Sequence, residues 1–362
     1  MIINRYLIRE ICTPLAVIVA VLVVLFGSYC ASDFLSDAVN GLLPTDMIAG
    51  LIGLKVLIAL EVLIPISLYI SVVLSFSKLY GDSEFTAMFA LRVTPTRVMS
   101  SVLALSGCLA IGVGGLSLIV RPWAYQKLHE LSDRAEVMID VHAMEAGTFY
   151  VGQHGDRVIF LSHRDGPGAP ARDVFVRLRY SDHVEIIRAQ LGYPLPRTVG
   201  HEGSRVYLSD VHIYEIADED GKPNQALTAR GITLNLDAQP VEPPAYAAVA
   251  AGSLRLAGSD EAADIAEFQW RLSTPLTTLL LGMLGVPLSR ARPRQNKYAK
   301  FTAAILVYSG YYLLCTSART WVQHGVVAQF PGIWWVPALL SLLLIVALCG
   351  PNLRLRFRHG RA

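Results

Sequence analysis

The chain has 362 residues, of which 53% are hydrophobic and 17% charged, with a mean hydropathy of +0.44. Those values exclude a wholly soluble protein and point to a membrane. A balance of 31 Lys and Arg against 29 Asp and Glu lacks the basic excess of a nucleic-acid-binding protein.

The N-terminal MIINRYLIREICTP runs into a long apolar stretch without a small-residue cleavage site, which predicts a retained helix and not a removed signal peptide. Six apolar stretches reach the roughly 17–25 residues that a membrane-crossing helix needs: Ile11–Ala31, Ala49–Ser77, Val98–Val120, Leu272–Ser289, Phe301–Thr320 and Ile333–Gly350. Loops rich in Lys and Arg stay in the cytoplasm. Arg5 and Arg9 therefore place the N-terminus inside, and Asp33, Asp37 and Asp46 in a loop without Lys or Arg place the first connection outside. Lys78, Arg92 and Arg97 bring the second connection back inside. The basic residues Arg290, Arg292, Arg294, Lys297 and Lys300, and the tail arginines Arg354, Arg356, Arg358 and Arg361, agree with that orientation. The block from Arg121 to Trp270 is then expected outside.

That block changes texture. After a helical stretch around Tyr125–Met138, short alternating runs punctuated by Gly, Pro, Asn and Asp predict strands at Thr148–Val151, Val158–Leu161, Val174–Tyr180, Arg205–Leu208 and Ile232–Leu236. Their spacing is that of an antiparallel sandwich or jelly roll. A Pro- and Ala-rich linker covers Pro240–Ala251. The five cysteines, Cys12, Cys30, Cys108, Cys315 and Cys349, all lie in or beside apolar segments, so no disulfide is expected in this block.

Three features point toward function. Between helices two and three, Gly81–Pro95 predicts a short helix with Asp82 or Ser83 as N-cap and Glu84 in the first turn, where a carboxylate suits the dipole. Phe85, Met88, Phe89 and the stem of Arg92 fall at i, i+3, i+4 and i+7, forming one apolar face in a loop too short to have a core of its own. That face either docks into a groove of a cytoplasmic partner or lies on the membrane or on the chain's own helix ends.

Arg121, Arg271 and Arg319 lie near the outer helix ends, where arginine is disfavoured. Each suits bidentate binding of a lipid phosphate, or equally snorkelling or pairing with an acid such as Glu267; Arg319 follows the polar stretch Cys315, Thr316 and Ser317. Lys55 and Glu61, inside the second span, are costly if they face lipid, and their six-residue spacing points them to different sides of the helix. In helix three, Ala110 and Gly114 have small-x-x-x-small spacing, which permits close helix contact within the chain or with another subunit. No phosphate-binding G-x-x-x-x-G-K-[ST] loop is present, nor G-x-S-x-G, H-E-x-x-H or C-x-x-C. The histidines of the outer block lack metal-ligand spacing. The chain is therefore expected neither to hydrolyse ATP nor to hold a metal.

The residues Arg5–Glu10 (RYLIRE), Ser77–Glu84 (SKLYGDSE), Glu267–Arg271 (EFQWR), Val286–Ser289 (VPLS) and Pro293–Gln295 (PRQ) resemble the lipopolysaccharide-export permeases of the LptF/LptG family, and within it the LptF side. The resemblance covers essentially the whole chain. It implies an α-helical membrane protein with six transmembrane helices in two sets of three and a periplasmic antiparallel β jelly-roll domain between helices three and four. The implied bounds are 1–122, with a coupling helix at about 82–94, then 123–268, and 269–362 with a basic cytoplasmic tail.

The same resemblance implies an inner-membrane permease, both termini cytoplasmic, that takes lipopolysaccharide from the outer leaflet and passes it to a periplasmic bridge. Its implied partners are an LptG-like permease, an LptB-like ATPase dimer that binds ATP and Mg, and an LptC-like single-span protein, with no cofactor in this chain. Asp82, Glu84, Phe85, Met88, Phe89 and Arg92 are then the ATPase-coupling residues. Arg319, Thr316, Ser317, Tyr29, Lys55, Glu61 and Arg271 are the candidate substrate-contacting ones. At the outer end of helix one the family carries basic residues, whereas Ser28–Asp33 here reads SYCASD. The alternatives from other classes are a membrane enzyme acting on envelope lipid and an ABC permease for another envelope lipid or lipoprotein.

Overall fold

In the computed structural model the apolar runs form helices, apart from Ile333 and Trp334 in the turn before the last one, since a chain in hydrocarbon must satisfy its backbone N–H and C=O groups internally. The residues described are all except 1, 40–42, 138–143, 145, 152–156, 167–168, 181–182, 196–204, 218–224, 236–247, 290–296 and 360–362. Arg290, Arg292, Arg294, Arg361, Leu236 and most of the Pro- and Ala-rich linker thus lie outside the described residues.

The helices are α1 (Ile2–Val39), α2 (Ile48–Gly81), α3 (Glu84–Ala90), α4 (Pro95–Gly115), α5 (Arg121–Val137), α6 (Ser253–Ala257), α7 (Ala262–Ser289), α8 (Lys297–Gln323) and α9 (Trp335–His359). A π-helical turn, Leu116–Val120, joins α4 to α5, and a 3₁₀ turn, Ala248–Ala250, precedes α6. Five stretches among the described residues are long and apolar enough to cross a membrane: Ile2–Val39, Ile48–Gly81, Pro95–Ser132, Ala262–Ser289 and Phe301–Gln323. The sixth expected span, Ile333–Gly350, is represented by a shorter apolar helix, Trp335–Cys349.

The chain divides into two compact units, one of Met1–Phe26, Lys55–Gln126 and Ala247–Ala362, the other of Gly27–Leu54 and Lys127–Tyr246. Two apolar clusters hold the first unit. One gathers Tyr69, Trp270, Leu281, Leu284, Tyr308 and Ile333 from α2, α7 and α8 and the turn before α9; the other gathers Leu7, Ile11, Leu68, Phe76, Phe85 and Val102 from α1 to α4. Helix α7 comes closest to its neighbours at Gly282, where a Cβ would stand 2.1 Å from Ser106 Oγ of α4. Only glycine permits that approach. Gly114 faces the same helix, since a Cβ there would meet Pro275 of α7 at 3.6 Å, an ordinary van der Waals contact.

Prolines inside helices remove the N–H that the carbonyl four residues earlier would accept. Here two of those freed carbonyls are taken by serines from neighbouring helices. Pro14 frees the carbonyl of Glu10, which accepts from Ser75 Oγ at 2.8 Å. Pro275 frees that of Arg271, which at 3.2 Å shares the single Ser117 Oγ–H with Glu61 Oε1 at 2.9 Å. The π turn is braced in the same way, with Ser253 Oγ donating to the carbonyl of Leu118 at 2.6 Å.

In the second unit, β1 (Phe149–Val151), β2 (Arg157–Arg164), β3 (Ala171–Arg179), β4 (His183–Leu195), β5 (Arg205–Ala217) and β6 (Gln225–Asn235) form one antiparallel sheet in consecutive order. Among the described strands that order is a meander, without the sheet-to-sheet crossovers of a jelly roll. One face carries the core, with Val176 opposite Ile187 and Ala189 opposite Val211. Strand β4 is absent from the sequence-predicted set, because the apolar pair Ile186–Ile187 breaks strict alternation and Pro194 reads as a turn.

Candidate functional site: a buried arginine–glutamate network

At the end of the helical unit where α4 finishes and α7 begins, five charged side chains converge from α2, α5, α7 and α8. Glu61, Arg121, Glu267 and Arg271 are buried, with Arg271 at 0% exposure. The side chain of Arg319 is 25% exposed. Burial of ions is tolerated when they are paired and hydrogen-bonded, and the groups here meet that requirement to different degrees.

Glu61 Oε2 accepts from Arg121 Nη1 at 2.6 Å. Its Oε1 accepts from Ser117 Oγ at 2.9 Å, Thr274 Oγ1 at 3.1 Å and Trp270 Nε1 at 3.2 Å. Glu267 stands between the three arginines: its Oε1 accepts from Arg271 Nε at 2.9 Å and its Oε2 from Arg319 Nη2 at 2.8 Å, while Arg121 Nη2 reaches Oε2 at 3.4 Å. Arg121 Nε lies 3.1 Å from Glu267 Oε1 but is not aligned for a hydrogen bond.

A guanidinium has five N–H donors, and Arg271 uses all five. Besides Glu267 it donates to the carbonyls of Ala248, Val249 and Ala251 and to Ser253 Oγ, at 2.9–3.2 Å. It ties the 3₁₀ turn and α6 onto α7 and has no donor left for a lipid. Arg271, expected to contact substrate, thus spends its hydrogen bonds within its own chain.

Arg319 differs. Among the described residues it makes one hydrogen bond, to Glu267, and its guanidinium stacks 5.2 Å over the ring of Trp270. Beside it, Glu61, Trp270, Thr274, Thr277, Tyr308 and Tyr312 line a cavity of about 40 Å³. Thr316 spends its hydroxyl on the carbonyls of Tyr312 and Leu313 in its own helix, while Ser317, Lys55 and Tyr29 are exposed. None of these four joins the network. Glu61, by contrast, belongs to it, and its partner is Arg121, sixty residues away, a pairing with no local sequence signal. The Glu267–Arg271 pair was legible as an i,i+4 spacing.

At the other end of the unit, α3 spans Glu84–Ala90, shorter than the expected 82–94. Ser83 occupies the N-cap position with φ 61°, yet neither it nor Asp82 makes a side-chain cap bond. Glu84 accepts instead from Tyr6 Oη of α1 at 2.7 Å. Phe85 is 1% exposed and packs on Phe76 at 5.1 Å and Tyr80 at 4.5 Å. The loop therefore does have a core in which to bury an apolar residue, namely that of its own chain, and Phe85 is buried in it. Met88 is half-buried, while Phe89, Leu91, Asp82 and Arg92 are exposed.

The family model described as "Lipopolysaccharide export system permease LptF/LptG" matches residues 5–349. The chain is similar to the lipopolysaccharide export system permease protein LptF of Escherichia coli K12, with 25% identity over 366 aligned positions that cover 96% of this chain and 94% of that protein. The corresponding LptF proteins of Escherichia coli O157:H7 and Shigella flexneri match to the same extent. The matched region runs from the N-terminal half of α1 through the sheet to the apolar end of α9, so the chain belongs to the LptF/LptG family of lipopolysaccharide export system permeases.

Proposed function

We propose that this chain is the permease subunit of an ABC transporter that extracts lipopolysaccharide from the outer leaflet of the inner membrane and passes it to a periplasmic bridge, driven by a separate cytoplasmic ATPase. The observation that carries the reading is the family match across both helical sets and the inserted sheet. In this reading α9 supplies a sixth span, both termini are cytoplasmic, and the sheet is the described part of a periplasmic jelly roll. An LptG-like permease, an LptB-like ATPase dimer and an LptC-like single-span protein complete the assembly.

The two ends of the helical unit divide the work. Exposed Phe89, Leu91 and Arg92, beside Glu84, offer the ATPase an apolar ridge with charged margins. Arg319, with unspent donors and partial exposure, offers a phosphate a charge-assisted bond. About 20 residues of α2 separate Glu61 from Gly81, roughly 30 Å of helix, so α2, which carries Pro65 in that stretch, is the element that joins α3 to the network. The test is photocrosslinking of lipopolysaccharide from positions on α1 and α8 in the assembled complex, together with co-purification of the ATPase. Crosslinks and a co-purifying ATPase are expected; a complex that forms without crosslinking lipopolysaccharide would overturn the reading.

A further inference from the structure

Arg319 is held by a carboxylate that does not depend on it. Glu267 Oε2 accepts from Arg319 Nη2 at 2.8 Å, but the same carboxylate also receives Arg271 Nε at 2.9 Å and lies 3.1 Å from Arg121 Nε. If Arg319 turned away, Glu267 would remain paired with two buried guanidiniums. The usual obstacle to breaking a buried ion pair, an uncompensated charge left behind, is absent on that side.

Arg319 itself is placed to change partners. It stacks over Trp270 at 5.2 Å, a contact that holds the guanidinium plane whichever anion it meets. Trp270 is in turn fixed by its Nε1–H bond to Glu61 at 3.2 Å. Among the described residues the remaining donors of Arg319 make no hydrogen bond, whereas Arg271 next to it has none to spare. The network thus has one closed arm and one open arm, and they share an acceptor.

We propose that Glu267 is a built-in competitor for the anion at Arg319: it trades Arg319 with a lipid phosphate on loading and takes it back on unloading. A permanent high-affinity phosphate site would hinder release from a transporter; an internal carboxylate within 2.8 Å weakens the site by a set amount and offers Arg319 a partner as the lipid departs. This deepens the proposed function and rests on its reading that Arg319 meets the phosphate of the exported lipid. Glu267 is therefore a positioning residue that acts through Arg319 and not a ligand of the lipid.

The experiment measures release of labelled bis-phosphorylated lipid A from the whole permease–ATPase complex in phosphatidylcholine nanodiscs, with dephosphorylated lipid A in parallel. Glu267→Gln keeps the shape of the side chain and removes its charge. Release of the phosphorylated lipid is expected to slow by about 3- to 10-fold, the size of one charge-assisted contact, and release of the dephosphorylated lipid to be unchanged. Arg319→Ala is expected to speed release of the phosphorylated form.

Unchanged or faster release in Glu267→Gln, with Arg319→Ala still effective, overturns the competitor and leaves Arg319 as the phosphate contact. An equal effect on both lipids also overturns it. No effect of Arg319→Ala overturns the reading beneath it. Where Glu267→Gln fails to assemble, Glu267→Asp keeps the charge and retracts it by one methylene, and slower release of the phosphorylated lipid alone is again the required result.

Discussion

Ser75 Oγ donates to the main-chain carbonyl of Glu10 at 2.8 Å, the carbonyl that Pro14 leaves without its helical N–H. Ser117 does the same for Arg271 against Pro275, sharing its O–H with Glu61 Oε1. Both helices keep their prolines because another helix completes their hydrogen bonds, which makes each serine part of its neighbour's backbone. Ser75→Ala and Ser117→Ala are each expected to destabilise the chain by about 1–3 kcal/mol, the cost of orphaning a buried acceptor. Thermal unfolding in detergent checks this, and an exposed control such as Ser317→Ala is expected to change little.

Arg271 is a fastener. Arg271→Met is expected to cost roughly 3–5 kcal/mol, since it leaves buried carbonyls and one carboxylate contact unmet. Arg271→Lys keeps the charge but offers three donors in place of five, so it is expected to recover only part of that loss. Limited proteolysis around α6 is expected to accelerate in both variants, and unaltered protection would refute the fastening role.

Phe85 and Phe89 lie four residues apart on α3 and are expected to behave differently. Phe85→Ala empties a packed site between Phe76 and Tyr80 and is expected to cost about 3–5 kcal/mol of stability. Phe89→Ala, at a residue 37% exposed, is expected to cost less than about 1 kcal/mol yet to lower the yield of co-purified ATPase. Glu84→Ala is expected to resemble Phe89→Ala. Equal loss of ATPase from all three without loss of stability would show that the docking face includes Phe85.

Gly282 tests the packing of α7 on α4. Gly282→Ala places a methyl group within 2.1 Å of Ser106 Oγ, and the crowding is expected to cost about 1–3 kcal/mol. The double variant Gly282→Ala with Ser106→Gly removes the opposing side chain and is expected to recover stability, measurable as the coupling in a double-mutant thermal series.

The amino-acid order by itself determined where the apolar helical stretches and the strand-rich middle lie, because hydrophobic period and length are local properties; it did not determine the helix termini, since α1 and α7 run on past their apolar runs, to Ile2 and Ala262. It also marked Glu61 as an ionisable group costly to leave facing lipid, and Glu267 as an acid with which the outer arginines could pair. What the tertiary structure decided is which residue partners Glu61. Arg121, 60 residues from Glu61, is found only when α2 and the π turn are packed together. The same holds for Arg271, whose five partners come mostly from the Ala248–Ser253 segment, and for Phe85, whose burial depends on Phe76 and Tyr80 at the end of α2. A side chain's period says which way it faces, but its role depends on which donors and acceptors the rest of the fold brings within 3 Å or so of it. Arg271 and Arg319, both suited by sequence to bind a phosphate, part company there: one has every donor filled, the other has donors to offer.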